Sequence, residues 1–295
     1  MSHPVARIVK KSNGLIEAKY TLTLQEQRVI LAALAKIHKD DIVTDDVMYL
    51  ISVHEIADLA SIPAQNLYGE IKMAAERLRS DRTVIIEIEP DGIRKKPRVM
   101  HTSWLQTCTY CEAEATVEVR FTKDILPYIA QLKAGFTQYR LLEAAGIKTP
   151  GGLRLFERCM MELGLGGRPF EITIPEFKSW LGISSDTYPR VTDLKKRVLI
   201  PAIDDVNKNT ALEVSYGQRK RGRDIYSFQF TVRRKTASQK SPKLSPGRVE
   251  TEIKSVEKKR MTKAQFLCFA RPQESVSETI ARAKAEGYVI AFKPF

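Results

Sequence analysis

Two runs of cations are the residues of this sequence best suited to chemistry. Arg190, Lys195, Lys196 and Arg197 form the first, and Arg219, Lys220, Arg221 and Arg223 crowd around Gly222 to form the second. Arg and Lys donate hydrogen bonds that match O6 and N7 of guanine, and they bind phosphate oxygens whatever the base. Cations packed this closely repel one another unless something anionic lies across them. A weaker set stands in the first half of the chain: Lys72, then Arg94, Lys95 and Lys96, with Arg98 beyond Pro97. Nothing comparable points to catalysis. There is no Gly-rich loop ending in Gly-Lys-Ser/Thr to cradle a nucleotide. Gly164-Leu165-Gly166-Gly167 lacks the spacing of a dinucleotide fingerprint and follows a helix. No His-x-His pair could hold the metal that a nicking tyrosine enzyme needs. Cys108 and Cys111 have the spacing of half a zinc site, but no second pair completes it and the histidines at 3, 38, 54 and 101 are scattered. The two cysteines therefore read as strand residues. No catalytic residue, metal or cofactor is expected, and the chemistry is binding.

Such cations can read bases only when a rigid element holds them in a groove. Residues 190–207 read as that element, a long helix. Val191, Leu194, Val198 and Ala202 fall on one stripe, while Arg190, Lys196 and Arg197 point the other way and Lys195 lies at the edge. Pro201 should start a new turn or kink the helix. Strands over 211–216 and 224–232 should form a hairpin whose tip, 217–223, holds the second basic run. A basic face alone would read as a solvated one. A basic helix followed by a basic hairpin reads as a DNA surface, with Lys196 and Arg197 as candidates for base edges and the hairpin cations for phosphates.

What precedes that helix occurs twice. Ile51-Ser52-Val53-His54-Glu55-Ile56-Ala57-Asp58-Leu59-Ala60-Ser61-Ile62 matches Ile172-Thr173-Ile174-Pro175-Glu176-Phe177-Lys178-Ser179-Trp180-Leu181-Gly182-Ile183, 121 positions on, with apolar residues aligned at 51/172, 53/174, 56/177, 59/180 and 62/183. Ser52-x-x-Glu55 and Thr173-x-x-Glu176 both have the form of a capping box, in which hydroxyl and carboxylate satisfy the orphan N–H groups of a helix start. Thr23-x-x-Glu26 is a third, opening a helix with Leu24, Val29, Ile30, Leu34 and Ile37 on its apolar face. The first unit continues with a strand over 48–53, helices over 54–60 and 64–80, strands over 83–89, 99–107 and 115–121, and a helix over 125–133. The second begins near 135, with a helix over 150–163 behind Thr149 and Pro150. Helix, strand, helix, turn, helix, hairpin is the order of a winged helix. The predicted fold is α+β: two tandem winged-helix domains related by an internal repeat, plus a basic C-terminal extension. Domains are expected at 1–134, 135–232 and 261–295, with a linker over 233–260 that carries ten Lys/Arg against three Glu.

The bulk composition agrees. A chain of 295 residues with 43% hydrophobic content has room for about two cored domains. Its 48 basic against 35 acidic residues, net +13, favour a polyanionic partner, although the surplus alone would suit an anionic membrane or a ribosome as well. No apolar run is long enough to span a bilayer and the first residues lack a signal peptide's apolar stretch. A soluble intracellular protein with free thiols is expected, located in the cytoplasm and making no membrane contact. The first module's helix offers Lys72 beside Glu76, with uncharged Gly69 and Met73. It should contribute backbone contacts or a protein interface more than base reading.

Three blocks in order resemble the iteron-binding plasmid replication initiators, the family typified by the F-plasmid initiator. The first runs from Arg7 through Ser12-Asn13, Leu15, Ala18, Tyr20 and Leu22 to Glu26-Gln27-Arg28. The second is Phe136-Thr137-Gln138-Tyr139-Arg140-Leu141 with Leu153-Arg154-Leu155-Phe156-Glu157, and the third is Asp193 to Val198 ending in Asp205-Val206-Asn207. Many relatives carry bulky residues where Gly151 and Gly152 stand here, and the tail beyond Val232 outruns the shorter ones. The resemblance implies a non-enzymatic initiator. Monomers bind direct repeats (iterons) at an origin, help open an adjacent AT-rich stretch, and recruit the host initiator protein and replicative helicase. A homodimer in equilibrium with the monomer represses its own promoter at an inverted repeat. The first winged helix dimerises, and the second supplies the main base contacts through Arg190 and Lys195 to Arg197. A sequence-specific transcriptional repressor with no role at an origin is the alternative reading of the same architecture.

Overall fold

A computed structural model describes residues 7–38, 41, 43–80, 82–90 and 95–236, and the backbone of 259–261 and 288–290. The chain divides into two compact units, residues 1–241 and 242–295. In the second, β11 (Lys259–Met261) and β12 (Tyr288–Ile290) pair in parallel. The rest of the domain expected over 261–295 lies outside the described residues.

The first unit is built from two copies of one arrangement. The first copy runs β1 (Ile8–Ser12), α1 (Asn13–Glu17), α2 (Leu24–Leu34), β2 (Tyr49–Ser52), α3 (Val53–Ala60) and α4 (Tyr68–Ser80). It continues through β3 (Thr83–Ile88), β4 (Arg98–Ser103), β5 (Leu105–Cys111), β6 (Thr116–Phe121) and the short α5 (Leu126–Ile129). The second copy runs β7 (Phe136–Arg140), α6 (Leu141–Ala145), α7 (Pro150–Gly164), β8 (Phe170–Thr173) and α8 (Ile174–Trp180). It ends with α9 (Val191–Leu194), a π turn (Lys195–Leu199), α10 (Ile200–Asn209), β9 (Leu212–Arg221) and β10 (Asp224–Arg234). Each copy closes on a three-stranded sheet, β2-β6-β5 in one and β8-β10-β9 in the other.

The repeated apolar positions hold both copies together. Ile51, Val53, Ile56, Ile172, Phe177 and Trp180 are buried, and Leu59, Ile62, Ile174 and Ile183 pack against the same continuous core. Burying one such side chain stabilises the fold by roughly 1.5–3 kcal/mol relative to leaving it in water. The repeat also extends further than the sequence suggests. β1 and β7 start the two copies and pair with each other, antiparallel, with Lys10 opposite Gln138 at the centre of each strand. Equivalent positions facing one another place a local two-fold axis through that pair.

Several expectations are corrected. Thr23–Glu26 and Thr173–Glu176 form complete capping boxes, but Ser52–Glu55 does not. The Ser52 hydroxyl accepts from the His54 N–H, while two cations claim the Glu55 carboxylate, Arg7 at 2.6 Å and Lys36 at 3.1 Å. The strand expected over 99–107 is broken at buried Trp104 into β4 and β5. The hairpin in the first copy's sheet is consequently β5–β6, and β3–β4 is a separate two-stranded ribbon. The helix expected over 125–133 is only the single turn α5. Arg233 and Arg234, expected in the linker, continue β10, and Lys235 donates to the Thr210 carbonyl at 2.9 Å.

Candidate nucleic-acid interface

The basic residues of the second copy are carried by α9, the π turn and α10, and by the β9–β10 ribbon. The helix expected over 190–207 is interrupted where its charge is greatest. Pro201 has no N–H to bond the Arg197 carbonyl, and its ring would crowd that carbonyl. The ladder widens instead, and the Ile200 N–H bonds the Lys195 carbonyl five residues back. The core stripe therefore shifts by one residue. Leu194 and Leu199 are both fully buried, followed by Ala202, Ile203 and Val206, whereas Val191 and Val198 are only half-buried. Arg190, Lys196 and Arg197 are exposed and Lys195 is half-buried, as the helical wheel predicts. π turns of this kind are frequent at functional sites.

Two polar anchors fix this segment. The buried Asp205 carboxylate accepts the Thr149 N–H at 2.7 Å, the Thr149 hydroxyl at 2.6 Å and the Lys148 N–H at 2.9 Å, tying α10 to the start of α7. Asn207 exchanges two hydrogen bonds with the Val214 backbone at 2.6 and 2.8 Å, tying α10 to β9. The preceding turn is equally close-packed. Gly182 has φ of 65°, and a Cβ there would collide with the Thr21 side chain, so only glycine fits. Lys178, buried beneath the turn, donates to the Ser185 carbonyl at 2.9 Å.

The ribbon is longer, and its tip shorter, than expected. β9 and β10 pair up to Arg221 opposite Asp224, leaving a two-residue turn of Gly222 and Arg223. β8 pairs only with Ser227 to Phe230, so the ribbon projects past its sheet. Arg219, Lys220, Arg221 and Arg223 are all exposed on it, with Arg219 and Lys220 in the strand and not at the tip. Arg219 pairs with Glu171 of β8 at 3.2 Å, and Arg221 lies 5.9 Å from the centre of the Tyr226 ring. Helix and ribbon meet where Lys195 lies 5.8 Å from the Tyr216 ring centre. Among the described residues, Arg190, Lys196, Arg197, Lys220 and Arg223 form no ion pair. Asp205, Asn207 and Tyr216 were not singled out by charge or wheel. Their only sequence signal is that Asp205 and Asn207 close the third block of the family resemblance.

The first copy differs. Lys72 on α4 is already paired with Glu112 at 3.3 Å, across from it at the β5–β6 turn. That turn, equivalent in place to the basic ribbon, carries Glu112 and Glu114. Lys95 and Lys96 are exposed on the β3–β4 ribbon, away from the sheet hairpin, and Arg94 lies outside the described residues. Cys108 and Cys111 both lie in β5, as strand residues, and burial raises the Cys108 thiol pKa to about 12. No helix among the described residues is long and apolar enough to cross a membrane.

The fold, with its paired helix-turn-helix and ribbon units, is that of a tandem winged-helix protein. The first winged-helix domain of the initiator replication protein family matches residues 8–160, and the second matches residues 173–232. The chain belongs to this family of replication initiators. Among its relatives, an Escherichia coli replication initiation protein is 26% identical over 77% of this chain and 70% of its own. The PI protein of Escherichia coli is 24% identical over 75% of this chain and 81% of its own. The crystal structure of the Pi initiator protein in complex with iteron DNA superposes with a TM-score of 0.61 at 21% identity, covering 76% of this chain and 96% of that one. At that identity the match speaks for the fold.

Proposed function

We propose that this protein binds directly repeated sites at a plasmid origin as a monomer, opens the adjacent AT-rich DNA and recruits the host initiator and replicative helicase. As a homodimer it represses its own gene at an inverted repeat. The second winged helix, within 135–232, reads sequence by placing α9, the π turn and α10 in the major groove, with Lys196 and Arg197 at base edges. The projecting ribbon holds phosphates. The first, within 1–134, supplies backbone contacts from Lys95 and Lys96 and pairs with a second copy. The observation that carries this reading is the asymmetry of charge: the ribbon of the second copy is basic, while the matching turn of the first is acidic and pairs with Lys72. Two unlike modules in one chain suit side-by-side copies on direct repeats, and a two-fold dimer suits an inverted repeat. No hydrolysis is invoked. Bending one site costs only about 1–6 kcal/mol, which several bound copies can supply.

The test is footprinting of the purified protein on DNA flanking its own gene, joined to deletion of that gene from the plasmid. Protection of direct repeats and loss of plasmid maintenance are expected. Protection confined to an inverted repeat, with normal replication after deletion, identifies a plain repressor. A nicked product from supercoiled origin DNA and Mg²⁺ overturns the non-enzymatic reading.

A further inference from the structure

The outward face of the recognition segment carries one large apolar residue beside its cations. Ile200 is 39% exposed, although the residues on either side along the core stripe, Leu199 and Ala202, are buried. The π turn inserts one residue between Leu194 and the next core position, Leu199, and Ile200 follows Leu199 on the exposed side. Lys196 and Arg197 stand four and three positions earlier in the same segment, and both are exposed. A single exposed isoleucine is ordinary on a protein surface. Here it adjoins the two cations assigned to base edges, and in the major groove the group that an apolar side chain can recognise is the 5-methyl of thymine.

We propose that Ile200 contacts the 5-methyl group of one thymine in the bound repeat. The contact makes Ile200 a specificity determinant distinct from the charged residues beside it. This rests on the placement of α9 to α10 in the major groove proposed above.

Uracil differs from thymine only by that methyl group, so a scan in which each thymine of the repeat is replaced by uracil isolates the contact. Fluorescence anisotropy of the full chain on these duplexes is expected to show one position at which uracil weakens binding about three- to fivefold. Ile200→Ala should lose a similar factor on the thymine duplex and become indifferent to uracil at that position, while Ile200→Val keeps the sensitivity. If Ile200→Ala binds as the unmodified protein does, or stays sensitive to the same uracil, the contact is wrong. Should Arg197→Ala still lose discrimination in that case, the groove placement survives without it. A protein that fails to distinguish the repeat from scrambled DNA overturns the placement and the contact together.

Discussion

Lys11 on β1 and Glu157 on α7 meet at 2.6 Å across the boundary between the two copies, with side chains 4% and 1% exposed. Tyr139 on β7 donates to the same carboxylate oxygen at 2.5 Å. Burial first, and then the Glu157 charge, holds the Tyr139 hydroxyl well above the usual tyrosine pKa, so it remains a donor. All three residues belong to the strands and helix that join the copies, so this cluster couples their stability. Lys11→Met should lower the unfolding free energy by about 3–5 kcal/mol, because it strands a buried carboxylate. Lys11→Met with Glu157→Gln, which removes the charge and keeps an acceptor for Tyr139, should recover more than half of that loss in urea titrations. Equal destabilisation of the two variants would show that the charge is not what matters.

The two glycines that open α7 should behave oppositely. A Cβ on Gly152 would stand 2.6 Å from Thr149 Oγ1 and 2.8 Å from Asp205 Oδ2, the two atoms that tie α7 to α10. A Cβ on Gly151 would meet only Ala202 Cβ, at 3.7 Å. Gly152→Ala should therefore cost about 1–3 kcal/mol through overpacking. Gly151→Ala should be neutral or stabilise by up to about 1 kcal/mol through helix propensity. Thermal unfolding of the two variants distinguishes them directly.

The Thr173–Glu176 cap carries a pH signature. The Thr173 hydroxyl donates to Glu176 Oε2 at 2.8 Å and its N–H at 3.0 Å. Those bonds hold the Glu176 carboxyl below its usual pKa, hydroxyl first. A depressed folded pKa contributes stability above the unfolded value, and that contribution is lost as pH falls through the folded one. Thr173→Ala should cost about 1 kcal/mol at pH 7. The gap to the unmodified protein should narrow below about pH 4, where the free carboxyl protonates. A gap independent of pH would assign the whole effect to the Glu176 N–H that the hydroxyl also accepts.

The ribbon should set affinity without choosing sequence. Arg221→Ala should weaken binding to specific and random DNA alike and lower the salt slope by about one. Arg219 is already engaged by Glu171, so Glu171→Gln should free it and steepen the slope. Measuring affinity against salt concentration for both variants checks the assignment.

Much of this arrangement was legible in the sequence because it follows from local rules. The apolar ladder at 51/172 to 62/183, two of the three capping boxes and the alternation of the strands each depend on residues a few positions apart. What was not legible depends on residues far apart in sequence. Arg7 and Lys36 take Glu55 from its cap, Lys11 finds Glu157, and Glu112 takes Lys72. The π turn lies between. Pro201 announced an irregularity, but whether the chain kinks or widens depends on whether the core accepts Val198 or Leu199, and it took Leu199. The length of the basic ribbon was hidden as well, since Arg219 and Lys220 resemble a loop by composition and are held in a strand by Ser227 and Ile225 opposite.

If the α9 to α10 segment reads bases, Arg197 is its most direct probe. Affinities of Arg197→Ala and the unmodified chain should be measured on the direct repeat and on scrambled DNA at one salt concentration. The predicted result is a loss of about 1–3 kcal/mol on the repeat, relaxed preference at one base pair, and little change on scrambled DNA. An unchanged ratio of specific to non-specific affinity would contradict the account.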